Sequence, residues 1–228
     1  MNKLNVKHWP KSERPRERLL EQGAQALSDA ELLAVLLRNG IKGKDVLQIS
    51  REILAEYGGL RGILSLEAKR LGEIKGLGTA KVTTLLAASE IARRSLLEKI
   101  IGADFIRDPE SVLTYLTASL RDKKKEVFKV LYLNKANRII AEEDLFHGTV
   151  DEAAIHPREA VKSALDHHAS AVILVHNHPS GRAEPSLEDR EITRKLKSAL
   201  ESVSIKILDH IIVGGDHYFS FSEHGLLG

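Results

Sequence analysis

The feature that most constrains the fold is an unbroken apolar run at residues 171–175, which ends directly at His176. A run of this length is typical of a β-strand that is covered on both faces, because a half-exposed strand would alternate apolar and polar residues. We therefore predict a central strand here, with a layer of structure on each of its faces.

The residues after about Phe105 alternate between strand-like and helix-like segments. Residues 126–133 are rich in β-formers, and residues 134–137 have the composition of a turn into a returning strand at 139–141. Further strands are predicted at 171–175, 205–213 and 218–221, and helices at 109–122, 157–168 and 187–200. This mixture predicts an α/β or α+β sandwich of about 120 residues.

The first hundred residues instead have helical periodicity almost throughout. Ser28 and Glu31 form a capping box at the start of one predicted helix, which ends near Asn39. Two more helices are predicted over 46–57 and 79–98, with short linkers that contain glycine. This half is therefore predicted to be a small helical bundle.

Composition excludes several kinds of site. The 228 residues include no cysteine, which excludes disulfides, thiolate-bound metals and a thiol nucleophile, so any metal must be held by His, Asp, Glu or water. Residues 1–100 contain 18 Lys and Arg against 12 Asp and Glu, a net charge of +6, whereas residues 101–228 contain 16 against 20, a net charge of −4. Either the two halves have different functions, or the helical half merely carries more solvated basic side chains.

Two domains are predicted, a helical domain over 1–100 and an α/β domain over 106–228. No stretch approaches the ~18 uninterrupted apolar residues of a membrane span, and the polar first eleven residues do not resemble a signal peptide. We therefore expect a cytoplasmic protein without a membrane partner. The oligomeric state is unknown from the sequence.

Residues 74–88 resemble a helix–hairpin–helix, with Gly76 and Gly78 in the turn and Lys81 in the next helix. The first amides of that helix, its positive end and Lys81 together form a candidate contact for a nucleic-acid phosphate. Such a contact would be independent of base sequence and sensitive to salt. The alternative is a tight connection between two helices, or a protein contact, with no role in DNA binding.

A histidine–aspartate group follows the central strand. In extended backbone His176 and His178 point to the same side, so their imidazoles can converge on one ion. Ser186 is a natural N-cap for the next helix, and Asp189 lies in that helix's first turn, where it can turn back toward the histidines. Two imidazoles, one carboxylate and an open fourth position are typical of a catalytic zinc site with one Zn²⁺ per chain.

This constellation, His176-x-His178-Pro179 followed by Ser186-x-x-Asp189, resembles the motif of the JAMM metalloproteases, whose domain is also called MPN. Over essentially its whole length the chain is similar to the bacterial RadC family. The resemblance implies an MPN-type α/β/α sandwich with a mixed central sheet behind a helical domain with a helix–hairpin–helix. It also implies zinc held by the two histidines and the aspartate. Asn177 departs from the serine that is common between the two histidines in the wider pattern.

The resemblance further implies that a glutamate on an early strand is the catalytic acid and base. Glu126 matches that position, with Glu142 and Glu143 as competing candidates. The Ser186 hydroxyl is predicted either to stabilise an oxyanion or to serve only as a helix cap. His210 is predicted to be either a buried core histidine or a partner of the metal ligands.

The leading hypothesis is a zinc-dependent metallopeptidase or isopeptidase that activates water against an amide bond, with an unknown peptide or isopeptide substrate. The alternative is a DNA-binding repair or recombination factor, or a nuclease, that binds DNA non-specifically through residues 1–100. A third possibility, a scaffold with a vestigial metal site, is disfavoured because the candidate ligands and Glu126 are all present.

Overall fold

The structure is a computed structural model that describes residues 6, 9–148 and 156–227. Its contacts divide the chain into two compact units, Met1–Ala92 and Arg93–Gly228. Residues 93–100, which the sequence analysis assigned to the helical half, group with the second unit. The predicted mixed α/β fold, with a helical first part and a mixed sheet in the second, is confirmed. Within the described residues, no helix is long and apolar enough to cross a membrane.

The first unit is built from short helices with strong end signals. The Ser28 side chain accepts a hydrogen bond from the Glu31 amide, and the Glu31 side chain accepts one from the Ser28 amide, so the predicted capping box is formed. Asp45 caps the next helix, which ends where Gly58 adopts a left-handed conformation. The helices are α1 (Pro15–Gln22), α2 (Asp29–Leu37), α3 (Val46–Tyr57), α4 (Leu60–Leu64), α5 (Ala68–Glu73) and α6 (Thr79–Ile100).

Three of these helices, α1, α4 and α5, had no predicted counterpart. They are eight, five and six residues long, which is shorter than the window over which helical periodicity can be recognised. Two of them nevertheless contribute to the core, because Ile63 of α4 and Leu71 of α5 are almost fully buried in the same hydrophobic cluster as residues of α2 and α3. Helix α6 continues from the first unit into the second.

The second unit contains a mixed sheet. Among the described residues it has the strands β1 (Glu126–Leu133), β2 (Ile139–Gly148), β3 (Ala171–Asn177), β4 (Lys206–Gly214) and β5 (His217–Ser220), in the order β2-β1-β3-β4-β5. The apolar run therefore lies in the central strand, as predicted, antiparallel to β1 and parallel to β4. Every residue of β3 is buried.

Helices cover both faces of this sheet. One face packs against α7 (Pro109–Leu120) and the end of α6, and the other packs against α8 (Pro157–Asp166) and α9 (Leu187–Glu201). Strand register decides which side chains face α9. Phe128 of β1 pairs with His176, and Leu174 pairs with His210 of β4, so the two histidines lie on the same face of the sheet.

Candidate metal centre

The three predicted ligands come together at the carboxyl end of β3. The Nε2 atoms of His176 and His178 are 3.0 Å apart. Asp189 Oδ1 lies 3.0 Å from the Nε2 of His176, and Asp189 Oδ2 lies 3.4 Å from the Nε2 of His178. The three side chains each offer a ligand atom, these atoms lie within 4.8 Å of one another, and the residues form a group that could hold a metal ion.

His178 is oriented by the backbone of the loop that follows it. Its Nδ1 is 2.8 Å from the carbonyl oxygen of Arg182. A carbonyl can only accept, so Nδ1 carries the proton and Nε2 presents a lone pair toward His176 and Asp189. Gly214 permits this arrangement, because a Cβ at that position would lie only 2.5 Å from backbone atoms of Arg182 and Ala183.

Asp189 is held by the capping box at the start of α9. Its Oδ2 accepts hydrogen bonds from the Ser186 amide and hydroxyl, each 2.8 Å long, and its own amide donates to Ser186 Oγ. Burial opposes the charge of this carboxylate, but the neighbouring His176 and His178 imidazoles and the Ser186 backbone amide outweigh it and hold the pKa of Asp189 well below its usual value. Because Oδ2 already accepts both hydrogen bonds from Ser186, Oδ1 is the oxygen better placed to bind a metal.

The structure therefore assigns Ser186 a definite role as a helix cap. Its hydroxyl proton points at Asp189 rather than into the space in front of the histidines. The second predicted role, in which this hydroxyl stabilises an oxyanion, stays a prediction.

His176 is held from behind by His210. Its Nδ1 lies 2.9 Å from His210 Nε2, and His210 Nδ1 in turn lies 2.6 Å from the hydroxyl oxygen of Thr193. Phe128 and Phe221 pack against these imidazoles. Burial, together with the neighbouring His176, keeps the pKa of His210 well below that of an ordinary histidine. Of the two predicted roles for His210, the contact with a candidate ligand is therefore observed.

The arrangement fits a small divalent cation. Zinc–nitrogen and zinc–oxygen bonds of about 2.0–2.1 Å in a tetrahedron would place neighbouring ligand atoms about 3.3 Å apart. His176 Nε2 lies 3.0 Å from both His178 Nε2 and Asp189 Oδ1, which is close to this spacing, and the other Asp189 oxygen, Oδ2, lies 3.4 Å from His178 Nε2. His178 presents a bare lone pair and Asp189 an ionised carboxylate, so a cation between them would relieve the repulsion of the converging lone pairs. A proton on Nε2 would relieve the same repulsion by donating to Asp189, and this is the main reason why the pKa of His178 is raised.

Glu126 lies at the first position of β1 and is half-buried. Phe128, two residues along on the same face, pairs with His176, so Glu126 is on the face of the sheet that carries the histidines. Its carboxylate contributes to the raised pKa of His178, which places its charge within electrostatic range of the group.

The competing glutamates are engaged elsewhere. Glu142 accepts hydrogen bonds from Lys129, Arg93 and Tyr115. Glu143 accepts from Tyr132 and Ser163 and faces His167. Neither belongs to the group formed by the two histidines and Asp189.

Asn177, which lies between the two candidate ligands, fixes the start of β1. Its Oδ1 accepts from the Val127 amide at 2.9 Å, and its Nδ2 donates to the carbonyls of Lys125 and Lys123 at 3.2 and 3.4 Å. The side chain is 1% exposed. Asn177 therefore holds both neighbours of Glu126, the position that carries the candidate acid and base.

The predicted hairpin of the first unit is present. Gly76 has a φ of +99°, which a side chain would strain, and the Gly78 carbonyl accepts from the amides of Lys81 and Val82 in the first turn of α6. The Lys81 ammonium donates to the Gly76 carbonyl at 2.8 Å. Lys81 thus closes the hairpin, and burial lowers its pKa. A phosphate contact through these residues stays a prediction.

For three residues around the candidate metal centre, Thr193, His210 and Asn177, the sequence did not establish a role. Thr193 follows Asp189 by four residues, a spacing that places both on one helix face and could have identified it. His210 reaches His176 only through the β3–β4 register, and the role of Asn177 depends on β1 lying beside β3. Neither pairing is marked by a local pattern.

The geometry agrees with the comparisons to known proteins. A protein-family model described as RadC-like JAB domain matches residues 106–226, and a second family model, described as UPF0758 N-terminal, matches residues 6–83. The UPF0758 protein Tgr7_0100 of Thioalkalivibrio sulfidiphilus is 50% identical over 224 residues, which cover 98% of this chain and 100% of the relative. This chain belongs to the RadC family. A UPF0758 protein of Nitrosococcus oceani, also 50% identical, and UPF0758 protein Mmwyl1_0624 of Marinomonas sp., 47% identical, are covered to the same extent.

The names of these relatives state no activity. The JAB domain and the group of His176, His178 and Asp189 together make this RadC-family protein a candidate metal-dependent hydrolase. The resemblance to RadC found in the sequence is confirmed.

Proposed function

We propose that this chain is a zinc-dependent hydrolase of amide bonds, a metallopeptidase or isopeptidase, with one zinc held by His176, His178 and Asp189. The observation that carries the proposal is the convergence of two imidazole nitrogens and the Asp189 carboxylate, at separations of 3.0–3.4 Å, beside the charge of Glu126. Zinc is favoured over Mg²⁺ or Ca²⁺ because imidazole ligands suit zinc, whereas the other two prefer oxygen ligands.

A zinc ion held by His176, His178 and Asp189 would supply Lewis-acid chemistry and would make water acidic enough to lose a proton at about pH 7. The protein's own residues do the remaining work. Glu126 accepts the proton of the attacking water and delivers it to the amine that leaves, as a general base and then a general acid. Asn177 keeps Glu126 in reach of the site by holding the backbone on each side of it.

The Ser186 hydroxyl is the proposed donor to the oxyanion of the tetrahedral intermediate. It donates to Asp189 Oδ2 in the structure, so this role requires rotation of the hydroxyl about its Cβ–Oγ bond. The Asp189 amide donates to Ser186 Oγ as well, and this bond can persist while the hydroxyl proton turns.

The test compares zinc content and hydrolysis in four proteins: wild type, Glu126→Gln, His176→Ala and Glu143→Gln. We expect about one zinc per chain in the wild type and in Glu126→Gln, and little in His176→Ala. Loss of the acid and base should lower kcat by about 10²–10⁴-fold in Glu126→Gln. Glu143→Gln is the matched control, because Glu143 also lies on a strand of the same sheet but contacts Tyr132 and Ser163, and it should stay active.

Hydrolysis is measured with libraries of fluorogenic peptides and lysine isopeptides. In parallel, candidate substrates are identified as proteins that accumulate in cells that produce Glu126→Gln in place of the wild type. Full activity of Glu126→Gln would overturn the proposed mechanism. A zinc-loaded wild type that cleaves no library member, with no protein accumulating in the variant strain, would overturn the proposed reaction.

A further inference from the structure

A closed chain of polar contacts runs behind the candidate metal centre. The Thr193 hydroxyl oxygen lies 2.5 Å from the carbonyl oxygen of Asp189 and 2.6 Å from His210 Nδ1. The other nitrogen of His210, Nε2, lies 2.9 Å from His176 Nδ1. These four residues are at most 2% exposed. Each contact must therefore be filled by a proton from the protein itself, because a buried pair of facing lone pairs is costly.

The position of every proton in this chain follows from its first member. The Asp189 carbonyl can only accept, so the Thr193 hydroxyl donates to it. The hydroxyl has one proton, so its oxygen must accept from His210, and the proton on that imidazole is on Nδ1. A neutral His210 then has a bare Nε2, which must accept from His176 Nδ1. The Nε2 of His176 is consequently bare. It faces Asp189 Oδ1 and His178 Nε2, each 3.0 Å away, so the space between these three atoms is left for a cation to fill.

We propose that Thr193 and His210 are positioning residues that hold His176 in its Nδ1–H tautomer, so that a metal meets a lone pair and not an N–H. This inference rests on the proposed zinc site. The series of hydrogen bonds starts on the backbone of one candidate ligand, Asp189, and ends on another, His176. It therefore also ties the first turn of α9 to the end of β3, the two elements that must stay together for the ligands to converge.

The two histidines differ in how their tautomers are held. His178 donates directly to the backbone carbonyl of Arg182, which no side-chain substitution removes. His176 depends instead on the side chains of Thr193 and His210, which are not among the candidate ligands. Its tautomer can thus be altered from a distance, by a change at Thr193, while all three ligands are left in place.

Substitution of Thr193 tests this dependence in the full-length protein. Thr193→Val has nearly the same shape but no hydroxyl, so His210 Nδ1–H loses its acceptor. The alternative tautomer of His210 would then donate from Nε2 to His176 and drive the His176 proton onto Nε2. Thr193→Ser keeps the hydroxyl and is the rescue variant. Ser163→Ala is the matched control, because it removes another buried hydroxyl of the same unit, one that contacts Tyr132 and Glu143.

Two measurements are made on each protein. Imidazole ¹⁵N chemical shifts of the metal-free protein report which ring nitrogen of His176 and His210 carries the proton. Competition with a fluorescent zinc chelator reports zinc affinity. We expect Nδ1–H tautomers for both histidines in the wild type, a population with Nε2–H in Thr193→Val, and zinc affinity about 10–100-fold lower in that variant. Thr193→Ser and Ser163→Ala should bind zinc as the wild type does.

Wild-type zinc affinity in Thr193→Val, or an Nε2–H tautomer of His210 in the wild type, would overturn the inference. An equal loss of affinity in Ser163→Ala would also overturn it, because the effect would then be one of general destabilisation. A wild type that binds no zinc overturns the proposed function instead, and the ¹⁵N shifts of the metal-free proteins then decide the tautomers by themselves.

Discussion

Replacement of Asn177 by alanine tests how the candidate acid and base is positioned. The Asn177 side chain makes hydrogen bonds of 2.9 Å to the Val127 amide and of 3.2 and 3.4 Å to the carbonyls of Lys125 and Lys123. These bonds join the end of β3 to the start of β1. Their loss should release the segment that carries Glu126 while the candidate metal ligands, which lie at the end of β3, in the loop directly after it and on α9, stay in place.

The expected cost follows from the burial of the partners. Val127 is 3% exposed, so its amide would be left without an acceptor, at a cost of about 1–3 kcal/mol. Lys123 and Lys125 are exposed, so water can replace the lost donor at their carbonyls. We therefore expect the second unit to lose about 2 kcal/mol of unfolding free energy, which corresponds to a fall in Tm of roughly 6–8 °C for a unit of this length.

Calorimetry measures this loss, and hydrogen exchange at the Val127 amide locates it. Asn134→Ala is the matched control, because Asn134 also accepts two backbone hydrogen bonds, from Ala136 and Arg138, but at an exposed turn. It should lose less than about 1 kcal/mol. If both variants lose the same free energy and Val127 stays protected from exchange in Asn177→Ala, Asn177 does not hold the start of β1 and the reasoning is wrong.

Three further predictions concern the cap, the metal and the hairpin. Ser186→Ala should lower the free energy of unfolding by about 1 kcal/mol, because the helix cap is lost, and should lower kcat by about 10²–10³-fold while zinc stays bound. A loss of stability with unchanged kcat would show that Ser186 is a helix cap only. Because the pKa of His178 is raised in the folded state, the metal-free protein should lose stability as the pH rises above 6.5 and through that folded-state pKa, whereas zinc affinity should rise over the same range because zinc binds the neutral imidazole. Unfolding measured as a function of pH, with and without zinc, reports both trends. Parallel trends would contradict the assignment. If the hairpin contacts DNA phosphates, Lys81→Ala should weaken DNA binding in fluorescence anisotropy and reduce its salt slope by about 1, and an unchanged slope would exclude that contact.

Much of the fold could be predicted because its signals are local. The apolar run of β3 lies in the centre of the sheet, and the capping boxes that begin with Ser28 and Ser186 start helices where the sequence indicates them. Asp108 likewise caps α7 directly before Pro109. Each of these signals involves residues at most a few positions apart, so a single chain is enough to recognise them.

The parts that could not be predicted depend on long-range register. Whether His210 faces His176 is decided by the parallel pairing of β3 with β4, and that pairing shifts by one residue between Val172 and Ile173. A shift of one residue moves every later side chain to the other face of the sheet. An observer with the sequence alone could therefore place His210 on a strand but not on a face, and both of its predicted roles stayed open.

This difference has a consequence for how such motifs are interpreted. His176, His178 and Asp189 decide which atoms can reach a metal, but the protons on those atoms are decided by the Arg182 carbonyl, Thr193 and His210. A chain that kept all three ligands and lost the Thr193 hydroxyl would match the motif in full, yet its His176 could present an N–H where a lone pair is required. Intact ligands are thus a necessary condition for a metal centre in this fold, and the hydrogen bonds behind them are the second condition.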